Sequence, residues 1–397
     1  MELIAITVPY FYPGEARDIA DALAENRFRY VHVRKPGCSA EEMRGLLEQI
    51  PGGLRDRLAL HDFHELAGEY GIGGIHLNSR NPAAPEGWKG RTSRSIHTLE
   101  EIGRVTEDYA FLSPIFPSIS KPGYRGAFIL EEVSRRLTPG IFALGGVTPE
   151  RLPQLEVAGF AGAAMLGAAW RHEIDREAFR LQFITNGNSI EEVTEGARKA
   201  VEGGCRWVQV RMKDATKGET EEAVRRLAPL RERYGITLLV DDHVDMAACL
   251  DCLDGVHVGK NDMPVAEARR LLGPGKILGA TANTYSDLKA AVEAGADYVG
   301  LGPFRFTTTK KNLSPVLGTE GYRHILAQCR EEGMATPVVA IGGITESDIP
   351  QVMQTGVAGI AVSGSILRAV DPVAETARLI STIETQKLKP FTTQQYE

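Results

Sequence analysis

Cysteine is sparse in this 397-residue chain: five residues, an odd number. Such usage argues against a disulfide framework and fits a reducing, cytoplasmic setting. One C-x-x-C stretch, Cys249-Leu250-Asp251-Cys252, has no second pair to complete a metal site. It closes an apolar helix-like run and reads as packing. A positive excess is missing too: 45 basic against 52 acidic residues leave a net charge of -7. That argues against a broad nucleic-acid face while allowing a local basic pocket for a small anion. No apolar run is long enough to span a bilayer, so no membrane partner is expected. The opening residues, Met1-Glu2-Leu3-Ile4-Ala5-Ile6, have no basic leader and read directly as a strand, so no secretory signal is expected.

What the chain does have is a repeat of itself. Ala143-Leu144-Gly145-Gly146-Val147-Thr148 is matched by Ala340-Ile341-Gly342-Gly343-Ile344-Thr345, and each is followed by a second glycine-bearing apolar run. Short apolar runs separated by helical stretches are the pattern of parallel βα units. Eight fall in the first half, at 3–7, 30–34, 58–61, 74–77, 92–95, 109–112, 141–144 and 162–165. Eight more fall at 181–185, 207–211, 237–240, 255–258, 277–281, 298–301, 338–341 and 359–362. Two tandem (β/α)8 TIM barrels are expected, 1–178 and 179–397, with a doubly wound open sheet as the alternative. Ser189 with Glu192 three residues on predicts a capping box, and Thr148-Pro149-Glu150 and Thr345-Glu346-Ser347 predict helix starts. The polar tail beyond about residue 387 is expected to fray.

Reactive groups in such barrels lie at the carboxyl ends of the strands, with phosphate commonly bound after the seventh and eighth. In the second half those ends carry, in order, Gln209, Arg211 and Lys213; Asp241-Asp242-His243; Lys260-Asn261-Asp262; Thr281; Thr307-Thr308-Thr309-Lys310-Lys311; Gly342-Gly343; and Ser363-Gly364-Ser365. Two carboxylates suit a hard cation. Several cations and hydroxyls suit phosphate oxygens, and glycine amides admit a second phosphate. Singly each motif has a plain structural alternative: a helix cap for the aspartates, a solvated loop for the threonine-lysine run, an internal ion pair for Arg211. Together they describe a site for a diphosphate and a separate monophosphate.

On these motifs the second half resembles the thiamin phosphate synthase family. The likeness rests on Gln209-x-Arg211-x-Lys213, on Asp242-His243-Val244-Asp245, on 254–264, and most specifically on Gly300-Leu301-Gly302-Pro303-Phe304 leading into Thr307-x-Thr309-Lys310-Lys311. The resemblance implies coupling of hydroxymethylpyrimidine diphosphate to a (carboxy)hydroxyethylthiazole phosphate, with thiamin phosphate and pyrophosphate as products. It implies Mg2+ on Asp242 and Asp262. Arg211, Lys213 and Lys310 would neutralise the leaving group, with Thr281 near the reacting centre. Gln209 would address the pyrimidine, and Thr307, Thr309, Gly343, Val362 and Ser363 the thiazole phosphate. Asp241 stands where the family usually has Asn, and is kept as a site residue.

The first half resembles the same superfamily more loosely, above all its thiazole tautomerase branch. His32-Val33-Arg34 replaces Gln-x-Arg, Lys35 is shifted relative to Lys213, and Asn81 stands where Asp262 does. Ser118-x-Ser120-Lys121 and Gly145-Gly146 are kept. A phosphate site without coupling chemistry is expected there. That branch's histidine after the sixth strand is missing, and His32, His61, His76 and His97 are the candidate proton-transfer bases if the half is catalytic. Three readings stand: a transferase working through its second half, a metal-independent isomerase of a phosphometabolite, and, for the first half, a binding domain without catalysis. Self-association is left open.

Overall fold

The computed structural model describes residues 1–116, 128–170, 174–306 and 316–387. These form two compact units, Met1–Arg171 and His172–Glu397. Each holds a closed barrel of eight parallel strands with helices between them. In the first, β1–β8 are Glu2–Ile6, Tyr30–Val33, Leu58–Leu60, Gly74–Leu77, Arg91–Ile96, Tyr109–Leu112, Ile141–Ala143 and Gly162–Met165. In the second, β9–β16 are Leu181–Ile184, Trp207–Val210, Thr237–Asp241, Gly255–Val258, Ile277–Ala282, Tyr298–Leu301, Val338–Ile341 and Gly359–Val362. All sixteen expected runs are strands, and β1 closes on β8 as β9 closes on β16.

Strand side chains alternate between the barrel interior and the surrounding helices. In the second barrel the inward rows begin apolar: Trp207, Leu239, Ile277, Tyr298, Val339 and Ala361 share one buried cluster with Ala178 and Phe179. Two to four residues later the same rows turn polar or small, giving Gln209, Asp241, Thr281 and Ser363. The lower interior is therefore a plug and the upper interior a site. Phe179, Trp207 and Tyr298 meet edge to face at centroid distances of 5.2 to 5.6 Å, a favoured aromatic geometry. Gly279 makes room for this: a Cβ there would lie 2.2 Å from the Tyr298 ring. The helix Arg176–Phe179 thus belongs with the second unit, and the chain divides a few residues ahead of the expected 178/179.

Local signals explain the connections. Ser189 caps the helix Ile190–Glu202 through a 3.2 Å bond from the Glu192 amide, but the Glu192 carboxylate bonds the Asn188 amide rather than closing the box on Ser189. After both paired glycines the chain makes a 3-10 turn, Pro149–Arg151 and Glu346–Asp348, before its α-helix. Cys249 ends the helix Val244–Cys249. The tail beyond 387 lies outside the described residues. Among those described, no helix is long and apolar enough to cross a membrane.

Candidate active site

Strand register sets Gln209, Asp241 and Thr281 at the carboxyl ends of the second barrel's strands. Thr185, just past β9, clamps the end of β10: its hydroxyl accepts from the Arg211 amide at 2.8 Å and donates to the Arg211 carbonyl at 3.0 Å. Thr7 holds Arg34 in the same way in the first barrel. The clamp fixes where the row Gln209, Arg211 emerges.

Gln209 is buried, and both ends of its amide are engaged. Its Nε2 donates to Asp241, and its Oε1 accepts from the Tyr298 hydroxyl at 3.3 Å. Tyr298 lies 2.9 Å from His257 Nδ1, and His257 Nε2 lies 2.9 Å from the Thr281 hydroxyl. A single chain, Gln209–Tyr298–His257–Thr281, therefore orients two residues expected at the site through two that were not. Burial pushes the Tyr298 phenol well above its ordinary value and keeps it a donor. Motif reading passed over both. His257 sits between Val256 and Val258 in a fully buried strand, and Tyr298 reads as core. The available signal was alternation, which puts His257 on the same inward rows as Gln209 and Thr281.

The acidic groups divide into two kinds. Asp241 is mostly buried and turned inward, held by Gln209 and by Arg211 Nε at 3.3 Å. The extra charge that departs from the family's Asn is thus balanced within the protein. Asp242 is exposed at the end of β11 with φ 67°, a left-handed backbone that is uncommon outside glycine and worth attention. Its amide bonds the His257 carbonyl at 2.9 Å, which ties it to the neighbouring strand. Asp262 is exposed in the turn after β12, and its Oδ2 accepts from the Gly259 amide at 2.8 Å. A Cβ on Gly259 would stand 2.6 Å from that oxygen, so glycine is required for the carboxylate to fold back.

The first barrel supplies a ruler for this pair. At the positions of Asp242 and Asp262 it has Asp62 and Asn81, and Asn81 Nδ2 lies 3.3 Å from Asp62 Oδ1. Side chains at these two strand ends can therefore converge on one atom. There Arg80 forks onto Asp62 with two 2.9 Å bonds, a guanidinium standing where a cation would be held. Exposed oxygen ligands at two adjacent strand ends are the donor set a hard cation takes. The residues of the second barrel fit magnesium, and those of the first do not.

Lys213 is exposed in the turn beyond Arg211, while Lys260 is turned away to Asp287 at 2.8 Å. Gly342 and Gly343 have φ 94° and 72°. A Cβ on Gly343 would meet the Arg305 side chain at 2.5 Å, so the close approach there requires glycine. Val362 contributes only backbone to the rim, since its side chain is in the core. The Ser363 hydroxyl is buried and has no hydrogen-bond partner among the described residues, an unsatisfied group of the kind a ligand completes. Thr307, Thr309 and Lys310 lie outside the described residues, as do Ser118, Ser120 and Lys121.

Parallel eight-stranded barrels with polar side chains gathered at the carboxyl strand ends define the class of (β/α)8 barrel enzymes. The family model described as thiamine monophosphate synthase matches residues 3–169 and again 181–366, and the chain belongs to that family. Thiamine-phosphate synthase of Phocaeicola vulgatus is 55% identical over 208 residues, which is 52% of this chain and 100% of that protein. The enzyme of the same name from Bacteroides fragilis is 57% identical over 201 residues, 51% of this chain and 98% of its own. Among solved structures, a thiamine phosphate pyrophosphorylase from Pyrococcus furiosus is 35% identical with a TM-score of 0.47, covering 53% of this chain and 98% of its own.

Proposed function

We propose that the chain joins hydroxymethylpyrimidine diphosphate to a hydroxyethylthiazole phosphate, plain or carboxylated, releasing pyrophosphate, and that the second barrel does the chemistry. The observation that carries this reading is the exposed Asp242 and Asp262 at neighbouring strand ends, whose first-barrel counterparts touch at 3.3 Å. The names of the relatives point to the same reaction.

Asp242 and Asp262 would hold magnesium, which when bound offsets the negative charge of a diphosphate. Arg211 and Lys213 add fixed positive charge at the same rim, and Lys310 is assigned there with them. The carbon–oxygen bond of the pyrimidine methylene breaks, and its electron pair leaves with pyrophosphate. The lone pair of the thiazole nitrogen then forms the carbon–nitrogen bond. In such a dissociative step the protein positions the partners and stabilises leaving charge. A primary amide has two N–H groups, so Gln209 can bond Asp241 and still address the pyrimidine. Thr281, oriented by His257, faces the reacting centre. Thr307, Thr309, Gly343, Val362 and Ser363 hold the thiazole phosphate.

The first barrel is assigned phosphate binding without coupling. Its glycine pair keeps positive φ, 93° and 62°, while Arg80 takes the cation's place. Tautomerisation of the thiazole phosphate there is the second reading, favoured by its buried histidines.

The test is the full chain with both substrates and magnesium. Thiamin phosphate and pyrophosphate should form in equal amounts, stop with chelator, and survive Asp62→Asn but not Asp242→Asn. Conversion of a single phosphometabolite in chelator, without pyrophosphate release and indifferent to Asp242→Asn, would instead favour a metal-independent isomerase.

A further inference from the structure

Three buried histidines of the first barrel have no counterpart set in the second. His32 lies in β2, His61 directly after β3, and His76 in β4, with exposures of 0%, 6% and 2%. His32 Nδ1 and His61 Nε2 are 3.0 Å apart, and the His61 and His76 rings stack at 4.0 Å. One ring nitrogen from each falls within 4.8 Å of those of the other two, and among the described residues no other three His, Cys, Asp or Glu do so.

We propose that His32, His61 and His76 form a binding site for a divalent transition-metal ion of the zinc type. Zinc–imidazole bonds of about 2.0–2.1 Å in a tetrahedron set the nitrogens roughly 3.3–3.4 Å apart. That separation lies between the 3.0 Å of the His32–His61 pair and the 4.8 Å limit of the group. Imidazole suits zinc, copper and nickel, whereas magnesium and calcium take oxygen. A neutral imidazole offers one ring nitrogen to a metal while the other donates a hydrogen bond.

The nitrogens of His32 and His76 that face away from the cluster are braced. His32 Nε2 lies 2.7 Å from the Tyr109 hydroxyl, and His76 Nδ1 lies 2.9 Å from the Ser93 hydroxyl. Partners of this kind fix ring orientation around a metal. His76 Nε2, 3.2 Å from the Ser95 hydroxyl, is then the inward ligand. The second barrel clarifies the difference. In the corresponding places it has Gln209, Asp241 and His257, a single imidazole already committed to Tyr298 and Thr281. Three neutral ligands leave a bound ion its full 2+ charge, and its fourth position would take water, hydroxide or an anionic ligand.

The full-length chain, stripped by chelator dialysis, should be titrated with Co2+ alone. One equivalent per chain should give the intense visible absorption of tetrahedral cobalt, and zinc but not magnesium should displace it. His32→Gln, which installs the second barrel's residue, and His76→Gln should each abolish the band and weaken binding at least 100-fold. Circular dichroism identifies any variant that has failed to fold, and the other then decides. The Asp242→Asn/Asp262→Asn chain should keep the band. Absence of the band in the wild-type chain overturns the proposal, as does its persistence in the folded histidine variants or its loss in the aspartate variant.

Discussion

Lys35 and Lys213 follow the same strand of the two barrels, yet one is sealed inside the protein and the other stands in solvent. Lys35 is 1% exposed and donates to the Val8 and Tyr10 carbonyls at 2.8 and 2.6 Å and to the Glu15 carboxylate. Burial lowers its own affinity for a proton and pushes Glu15 up to about 7 in spite of the ion pair. The first barrel has turned a rim cation into an internal strut. The acidic positions have gone the same way, since Asp62 answers to Arg80 and Asn81 while Asp242 and Asp262 face solvent. The scaffold is shared; what separates the halves is how far the rim groups have been drawn into the protein, as Lys35 has and Lys213 has not.

The comparison can be broken most sharply at those lysines. Lys35→Ala should destabilise the first barrel by about 3 kcal/mol, because it leaves a buried carboxyl without its partner. Lys213→Ala should leave unfolding unchanged and lower coupling turnover. Thermal melts and steady-state rates of the two variants check this, and equal melting losses would erase the distinction. Next come the aspartates. Asp242→Asn or Asp262→Asn should lower kcat/KM on the order of 10²–10³-fold, the scale for losing preorganised charge stabilisation, while Asp62→Asn leaves it unchanged.

A smaller effect is expected at Ser363. Its hydroxyl has no partner among the described residues, so Ser363→Ala should raise KM for the thiazole phosphate about tenfold, roughly one hydrogen bond to a charged group. The melting temperature should not fall. A drop in stability with unchanged KM would make the hydroxyl structural. The smallest effect belongs to Tyr298→Phe, which removes the donor to Gln209 and should cost about 1 kcal/mol of pyrimidine binding, read as a several-fold rise in that substrate's KM.

The barrels were legible because closed parallel sheets demand short apolar strands buried on both faces, and the chain spells this pattern twice. Nine of the sixteen expected strands end one residue away from the observed end, as at Thr237–Asp241 and Arg91–Ile96. The rim groups were legible too, because polar residues directly after such strands have few structural duties. Three things were hidden. His257 and Tyr298 lie inside apolar runs, where a polar side chain reads as core until its neighbours across the barrel are known. The role of Asp241 depends on Arg211 reaching back across adjacent strands, which no linear spacing announces. Lys260 looked like a rim cation, but the helix start at Asp287 takes it.

Arg80 has a consequence for how the two halves respond to their surroundings. A dissolved ion comes and goes with its concentration, so under the proposed reading the second barrel's charge balance would be set from outside and lost to a chelator. A guanidinium is permanently protonated and cannot diffuse away from the chain that bears it. The rim around Asp62 therefore keeps its neutrality in any ionic medium, at the expense of the coordination sites a diphosphate would need.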